Sequence, residues 1–548
     1  MRLLLTTAIA ASLAACSPPA TKNTSSPAVE MKTVSIGTCE VKVVADYMPK
    51  DWTAQTLPAI AEALANGDVT SEKIISDYQA RIDAIDNNGP RLQSILTLNP
   101  DALAQAKAID EKRANGETLG PLAGVPVLLK DNIETKDNMP TTAGAVALAN
   151  NLTERDSPLA AGLRAQGAII LGKTNLSQWA NFRSNESVSG WTALGGQVRN
   201  PHMLDRSPCG SSSGTGAAVA ASLAAGGVGT ETNGSIICPS NVNGVVGFKP
   251  TIGVVSQQYI VPISVSQDTA GPMTKTVRGA AMMMDAMATD GKGVDFTSGL
   301  SAGALSGKRV GVMRFSEGDN ADILEHFNSA LAAMEAQGAT LVEIDEFEMI
   351  EGFWPSTLPV LQYEFKDGLN DYLADTPAGV KTRTLTELIA FNEKEPREMA
   401  LFDQDLFEES DALGDLTDAA YIKALELAQR GTRAEGIDKM MSADNLDMLV
   451  SPSGPISPRV DPVNGDVWPS WAGAGYLAAI AGYPHITVPM GHVHGIPIGV
   501  SIMGGEDQDA DILSYGYAYE QASLKRKDPH FLKDAEACSD VGAAMRRR

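Results

Sequence analysis

An α/β protein built on a mixed central sheet is expected from the sequence, and three observations carry that expectation. Short apolar runs, such as Val125-Pro-Val-Leu-Leu129 and Ala168-Ile-Ile-Leu171, read as buried strands. Other stretches place their apolar residues at helical spacing. The two kinds of segment alternate along the chain, which is the pattern of layered α/β domains.

Taken in order, the elements begin with an export signal. Arg2 precedes Leu3-Leu-Leu-Thr-Thr-Ala-Ile-Ala-Ala11, which is too short to span a bilayer and has the layout of a secretory signal. Leu13-Ala-Ala-Cys16 resembles the bacterial lipobox. That resemblance implies lipidation at Cys16 and, with Ser17 beside it, an exported chain anchored at the periplasmic face of the outer membrane. An ordinary cleaved signal and a soluble periplasmic product is the alternative. Residues 1–16 are thus read as the signal peptide and 17–45 as a flexible tether, rich in Ser, Thr and Pro over 17–28. Residues 56–87 carry Ile74, Tyr78, Ile82 and Ile85 on one helical face, with Gly67 breaking the run. The strand at 125–129 delivers Lys130 inward. Residues 213–226, all Gly, Ala, Val, Ser, Thr and Leu, read as a tightly packed helix. A strand follows at 308–315, then a helix with Ile323, Phe327, Leu331 and Met334 on one side, then a strand at Thr340-Leu-Val-Glu-Ile344. Residues 346–445 are acidic and mostly helical in pattern. Trp354, Tyr363, Phe365 and Tyr372 in that segment either line a cleft or belong to a core.

The length, 548 residues, suggests several domains at about 150 residues each. The continuity of the motifs below argues instead for one domain over 46–530, with a helical insertion at about 346–445 and a C-terminal tail at 531–548. The net charge of −24 would repel phosphate, so nucleic acid is not expected as a partner. Of five cysteines, Cys39 and Cys538 lie near opposite ends of the mature chain and could pair in an oxidising compartment. Cys209 and Cys238 read as small buried hydrophobes. His492-Val-His494 has strand spacing for a metal, but no third ligand is in view and a polar loop is the simpler reading.

The chemistry is concentrated in one Gly/Ser-rich stretch, from Cys209-Gly-Ser-Ser-Ser-Gly214 to Gly229-Thr-Glu-Thr-Asn-Gly-Ser235. Its candidates are Ser211 and Ser235, with Lys130 as their partner. A serine hydroxyl attacks an amide only when a base takes its proton. A lysine serves as that base only when neutral, and its unperturbed pKa is about 10.4. The apolar residues before Lys130 supply the burial that lowers it. The turn through Asn233-Gly234 can aim the N–H groups of Thr232, Asn233, Gly234 and Ser235 at one point as an oxyanion hole; the plainer reading is a turn that only joins two strands.

Two pattern matches mislead. Gly210-Ser-Ser-Ser-Gly214 satisfies the G-x-S-x-G elbow, but a loop precedes it where a strand is required, and none of the six histidines has an evident acid companion. Gly167-Ala-Ile-Ile-Leu-Gly-Lys-Thr174 satisfies the phosphate-loop pattern, but its spacer is itself strand-like, so ATP binding is not expected.

Residues 122–289 resemble the amidase signature family throughout, including Gly244-Val-Val-Gly-Phe-Lys-Pro-Thr251. Weaker similarity reaches Tyr483-Pro-His-Ile-Thr-Val-Pro-Met-Gly491 and Gly495-Ile-Pro-Ile-Gly-Val-Ser501. Trp179-Ala-Asn-Phe-Arg183 and Ser189-Gly-Trp-Thr192 are most similar to the family's bacterial peptide amidases. The family's usual Gly-Gly-Ser-Ser-Gly-Gly is Cys209-Gly-Ser-Ser-Ser-Gly214 here, which leaves the serine intact. The resemblance implies the amidase-signature fold, a mixed twisted sheet covered by helices on both faces. It implies an amidase acting on linear carboxamides through an acyl-enzyme and a Ser-Ser-Lys triad. In that triad Ser235 is the nucleophile, Ser211 the proton relay behind a cis peptide bond, and neutral Lys130 the base. Ser212 and Asp131 are supporting residues. The implied substrate is a small amide or an amidated peptide that loses ammonia, with no metal or cofactor. A hydrolase of cyclic, aryl or aliphatic amides and a non-catalytic peptide-binding lipoprotein are the alternatives. Charge and export count against the family's tRNA-dependent amidotransferases.

Overall fold

The chain is described by a computed structural model over residues 30–36, 39–289 and 293–547. Among these, eleven strands form one mixed sheet. Across it run Thr340–Ile344, Arg309–Met313, Met448–Pro452, Ile496–Met503, His485–Val493, Val246–Lys249, Thr269–Thr274, Gly226–Glu231, Pro126–Lys130, Ile169–Thr174 and Ile95–Leu98. Pro126–Lys130 is parallel to both of its neighbours, whereas Thr269–Thr274 is antiparallel to both of its own. Helices cover both faces. Strand Pro126–Lys130 is buried along its whole length, as its unbroken apolar run requires.

The helical segment at 56–87 divides where Gly67 adopts φ +77° and closes Leu57–Asn66; Thr70 then caps Ser71–Ile82 by accepting from Lys73 N–H at 3.1 Å. Ile74, Tyr78, Ile82 and Ile85 are all buried. The small-residue helix is shorter than its composition suggests. It spans Ser213–Ala220, and residues 226–231 form the strand Gly226–Glu231 instead. A helix-period reading cannot separate the two, because Gly and Ala show no amphipathic face; the sheet position decides. At Gly227 a Cβ would lie 2.6 Å from Thr215 Cγ2, so the helix packs on this strand at glycine distance.

Arg309–Met313 and Thr340–Ile344 pair in parallel through the helix Ala321–Ala336, whose Ile323, Phe327, Leu331 and Met334 face the core. Residues 346–445 contain the helices Phe353–Ala374, Leu385–Asn392, Asp405–Asp411, Ala419–Thr432 and Asp438–Ala443. Phe365 and Tyr372 join Trp179, Phe182 and Phe407 in a core cluster, and Tyr363 packs on Tyr421. Trp354 alone of the four aromatics reaches a cleft.

Both ends differ from the expected tether and tail. Met31–Ile36 and Cys39–Val44 pair as an antiparallel hairpin, so the segment 17–45 is structured at its C-terminal end. Val41 and Val43 pack with Leu532 and Cys538, and Ser539–Ala544 is a helix, so the described part of the expected tail, 531–547, folds back onto that hairpin. Two short apolar patches too weak to be read as elements bury each other. Cys538 is disulfide-bonded, and the expected partner, Cys39, has a side chain outside the described residues. Residues 1–16, with Cys16, also lie outside them.

Candidate active site

Lys130 ends its strand with a fully buried side chain. Its Nζ lies 2.7 Å from Ser211 Oγ, 2.8 Å from Thr230 Oγ1 and 3.2 Å from the Thr230 carbonyl. All three partners are neutral. Burial pushes its pKa down to about 7, against the upward pull of the Asp268 and Glu231 carboxylates. Asn132 Nδ2 donates to the same Thr230 hydroxyl at 3.0 Å and holds it in place.

Ser211 follows a cis Gly210–Ser211 peptide bond, and its carbonyl accepts from Ser177 N–H at 3.0 Å. Gly210 has no room for a side chain, since a Cβ would sit 2.1 Å from Ser177 Oγ. Ser212 Oγ donates to the Thr230 carbonyl at 3.1 Å and accepts from Thr230 N–H at 3.2 Å. Ser212 N–H donates to the Ser235 carbonyl at 3.1 Å, which draws the two serine segments together. The disulfide Cys209–Cys238 links the residues before Ser211 to those after Ser235, with Cα atoms 5.9 Å apart. This corrects the reading of these cysteines as hydrophobic filler: the segments converge only in the tertiary fold, so spacing alone did not reveal the pair.

The segment 232–235 leaves the end of strand Gly226–Glu231. Gly234 has φ +79° with open space where a Cβ would be, so glycine is required by conformation and not by crowding. Among the described residues, no turn or loop hydrogen bond consumes the N–H of Thr232, Asn233, Gly234 or Ser235. The segment is fixed from both sides instead. Thr232 Oγ1 donates to Asp268 Oδ1 at 2.6 Å, while Asp268 Oδ2 accepts from Ile263 and Ser264 N–H at 2.7 and 3.0 Å. Burial raises the Asp268 pKa to about 6, opposed by these hydrogen bonds. Glu231 Oε2 accepts from Ile236 and Ile237 N–H at 2.7 and 3.0 Å. Thr230, Glu231 and Asp268 were not singled out from sequence. The available signal was Thr230 and Glu231 inside a run of small residues, whereas Asp268 lies in a separate segment, Ser264-Val-Ser-Gln-Asp-Thr-Ala-Gly271.

A cavity of about 590 Å³ opens beside this segment, lined by Gly210, Glu231, Asn233 and Gly234. A larger one, about 840 Å³, is lined by Asp86, Arg91 and Lys533 and includes none of the predicted site residues. The phosphate-loop match resolves into strand Ile169–Thr174, with Lys173 buried against Asp131 at 3.4 Å. His492 ends up in strand His485–Val493. Among the described residues no three His, Cys, Asp or Glu are grouped to hold a metal ion, and no helix is long and apolar enough to cross a membrane.

Comparison with known proteins gives the family of the chain. The Amidase family model matches residues 73–513. A probable amidase of Arabidopsis thaliana is 35% identical over 502 residues, 87% of this chain and 91% of that protein. An amidase family protein of Bacillus anthracis superposes with a TM-score of 0.78 at 32% identity, covering 87% of this chain and 92% of that one. The native peptide amidase of Stenotrophomonas maltophilia superposes with a TM-score of 0.82 at 40% identity, covering 87% of this chain and 98% of that one. The fold, the family match and the length of these alignments agree, and the chain belongs to the amidase family, as an amidase hydrolase of the amidase-signature type.

Proposed function

We propose that the chain hydrolyses linear carboxamides, above all the C-terminal amides of peptides, with Ser235 as nucleophile, Ser211 as proton relay and Lys130 as base. The observation that carries this reading is a fully buried Lys130 whose three hydrogen-bond partners are neutral and include Ser211 Oγ at 2.7 Å. A neutral amine has two donors and one lone pair. The Thr230 carbonyl can only accept, and Thr230 Oγ1 is placed to take the second N–H, so the lone pair faces the Ser211 hydroxyl. Ser211 then takes a proton from Ser235 as it passes its own to Lys130. Ser235 Oγ bonds to the amide carbon, and the N–H groups of 232–235 hold the oxyanion. Collapse breaks the C–N bond, and the proton returns through Ser211 to the departing ammonia. Water cleaves the resulting ester by the same relay, releasing the acid. The 40% identity to a peptide amidase supports the substrate class.

Ammonia release from C-terminally amidated peptides tests this. Wild type is expected to release it and Ser235→Ala to fall by about 10³-fold or more. A Ser235→Ala variant as active as wild type sinks the assignment. We further propose that the chain is exported and lipid-anchored at Cys16, which rests on Leu13-Ala-Ala-Cys16. Labelled palmitate should enter the full chain and not the Cys16→Ala variant; equal labelling of both overturns the anchor.

A further inference from the structure

The cavity beside 232–235 is lined by carboxylates and, among the described residues, by no lysine or arginine. Its histidine, His485, has a pKa pushed down to about 3 by burial and is held at Ser501 Oγ, 2.7 Å away, so it is neutral. Of its two carboxylates, Glu231 is engaged by Ile236 and Ile237 N–H. The other, Asp466, is half-buried; burial pushes its carboxyl up, opposed by hydrogen bonds from Ser189, whose N–H lies 3.0 Å from Oδ1, and from the Trp468 side chain.

Three tryptophans share this cavity. Trp468 and Trp471 meet edge to face at 5.7 Å, and Trp354 lies against Tyr476 at 5.1 Å. Trp354 and Trp471 are 58% and 47% exposed, so much of each ring has no protein neighbour. A partly buried carboxylate and the two open indoles of Trp354 and Trp471 both favour a cation, the first by charge and the second by the ring quadrupole. Ser189 ties the pair to the chemistry: its Oγ accepts from Asn181 Nδ2 at 3.2 Å and would lie 3.1 Å from a Cβ on Gly210, the residue bonded to Ser211.

We propose that this cavity selects substrates by a cationic group, an ammonium or guanidinium, received between the Asp466 carboxylate and the indoles of Trp354, Trp468 and Trp471. The proposal rests on the reading of 232–235 as the reacting segment. The cation comes from either of two sources, a basic side chain next to the amide or the free α-ammonium of a short amide.

The test compares kcat/KM for N-acetyl-arginine amide, leucine amide with its free ammonium, and N-acetyl-leucine amide. Wild type is expected to prefer at least one cationic substrate over the neutral one by about tenfold, and Asp466→Asn to cut that ratio about tenfold. Whichever cationic substrate is preferred identifies the source. The ratio cancels any general loss in the variant. A measurement on wild type alone guards against misfolding: benzylammonium should inhibit competitively about tenfold better than benzyl alcohol. A wild-type ratio near one, a ratio unchanged in Asp466→Asn, or equal inhibition by the two benzyl compounds overturns the cation site. Ammonia from the neutral amide with no preference overturns this inference only; no ammonia from any member overturns the amide-hydrolysis reading with it.

Discussion

Lys130 and Lys173 stand on adjacent parallel strands, with Leu129 opposite Lys173 and Lys130 opposite Thr174. Both side chains are fully buried. Lys173 has a carboxylate, Asp131 Oδ1 at 3.4 Å, and the Thr141 hydroxyl at 2.8 Å. Lys130 has only hydroxyls and a carbonyl. Burial pulls both ammonium groups toward neutrality, and in Lys173 the Asp131 charge opposes it most. Asp131 is itself pushed up by burial and held down by Lys173 and Thr142. What burial makes of a lysine therefore depends on its partner: with a carboxylate it becomes a structural ion pair, and without one it becomes a candidate base.

Exchanging each lysine for methionine tests this contrast most severely. Lys130→Met should lower kcat/KM by about 10³-fold or more while the protein stays folded. A fall below about tenfold would remove Lys130 from the chemistry. The wild-type kcat/KM should rise with pH through about 7, where the buried amine loses its proton, and level off above. Because the folded pKa is lowered from 10.5, the unfolded chain binds more protons between about 7 and 10.5, so this group makes stability rise with pH across that window. Lys130→Met should flatten that part of the curve in urea titrations.

Lys173→Met should act on stability instead. It leaves Asp131 buried without its ion partner, at a cost of about 3–5 kcal/mol in urea unfolding. The smallest effect is expected from adding Asp131→Leu, which removes the stranded charge and should recover part of that loss. A double variant no more stable than Lys173→Met would mean that Asp131 matters chiefly through Thr142, whose N–H and hydroxyl it accepts.

Much of this was legible in the chain. The apolar run before Lys130 and the Asn233-Gly234 turn are local features, and the structure has a buried strand end at the first and a positive-φ glycine at the second; the link from Ser212 N–H to the Ser235 carbonyl was not legible. The helix at 213–226 overran because Gly, Ala and Val fit a packed helix and a packed strand equally well. The aromatics of 346–445 could not be sorted, since residues such as Trp354 and Phe365 differ in burial only through what packs on them.

Local periodicity and composition were enough to establish the strand–helix alternation, the acidic charge and the residue types able to do acyl chemistry. Folding in three dimensions was needed to bring Cys209 to Cys238, to complete the surroundings of Lys130 with Thr230, to pack the two chain ends together, and to set Asp466 on the same cavity as Asn233 and Gly234. Those are contacts between residues far apart in the chain. No local pattern encodes them, and they exist only once the sheet has fixed which strand ends lie side by side.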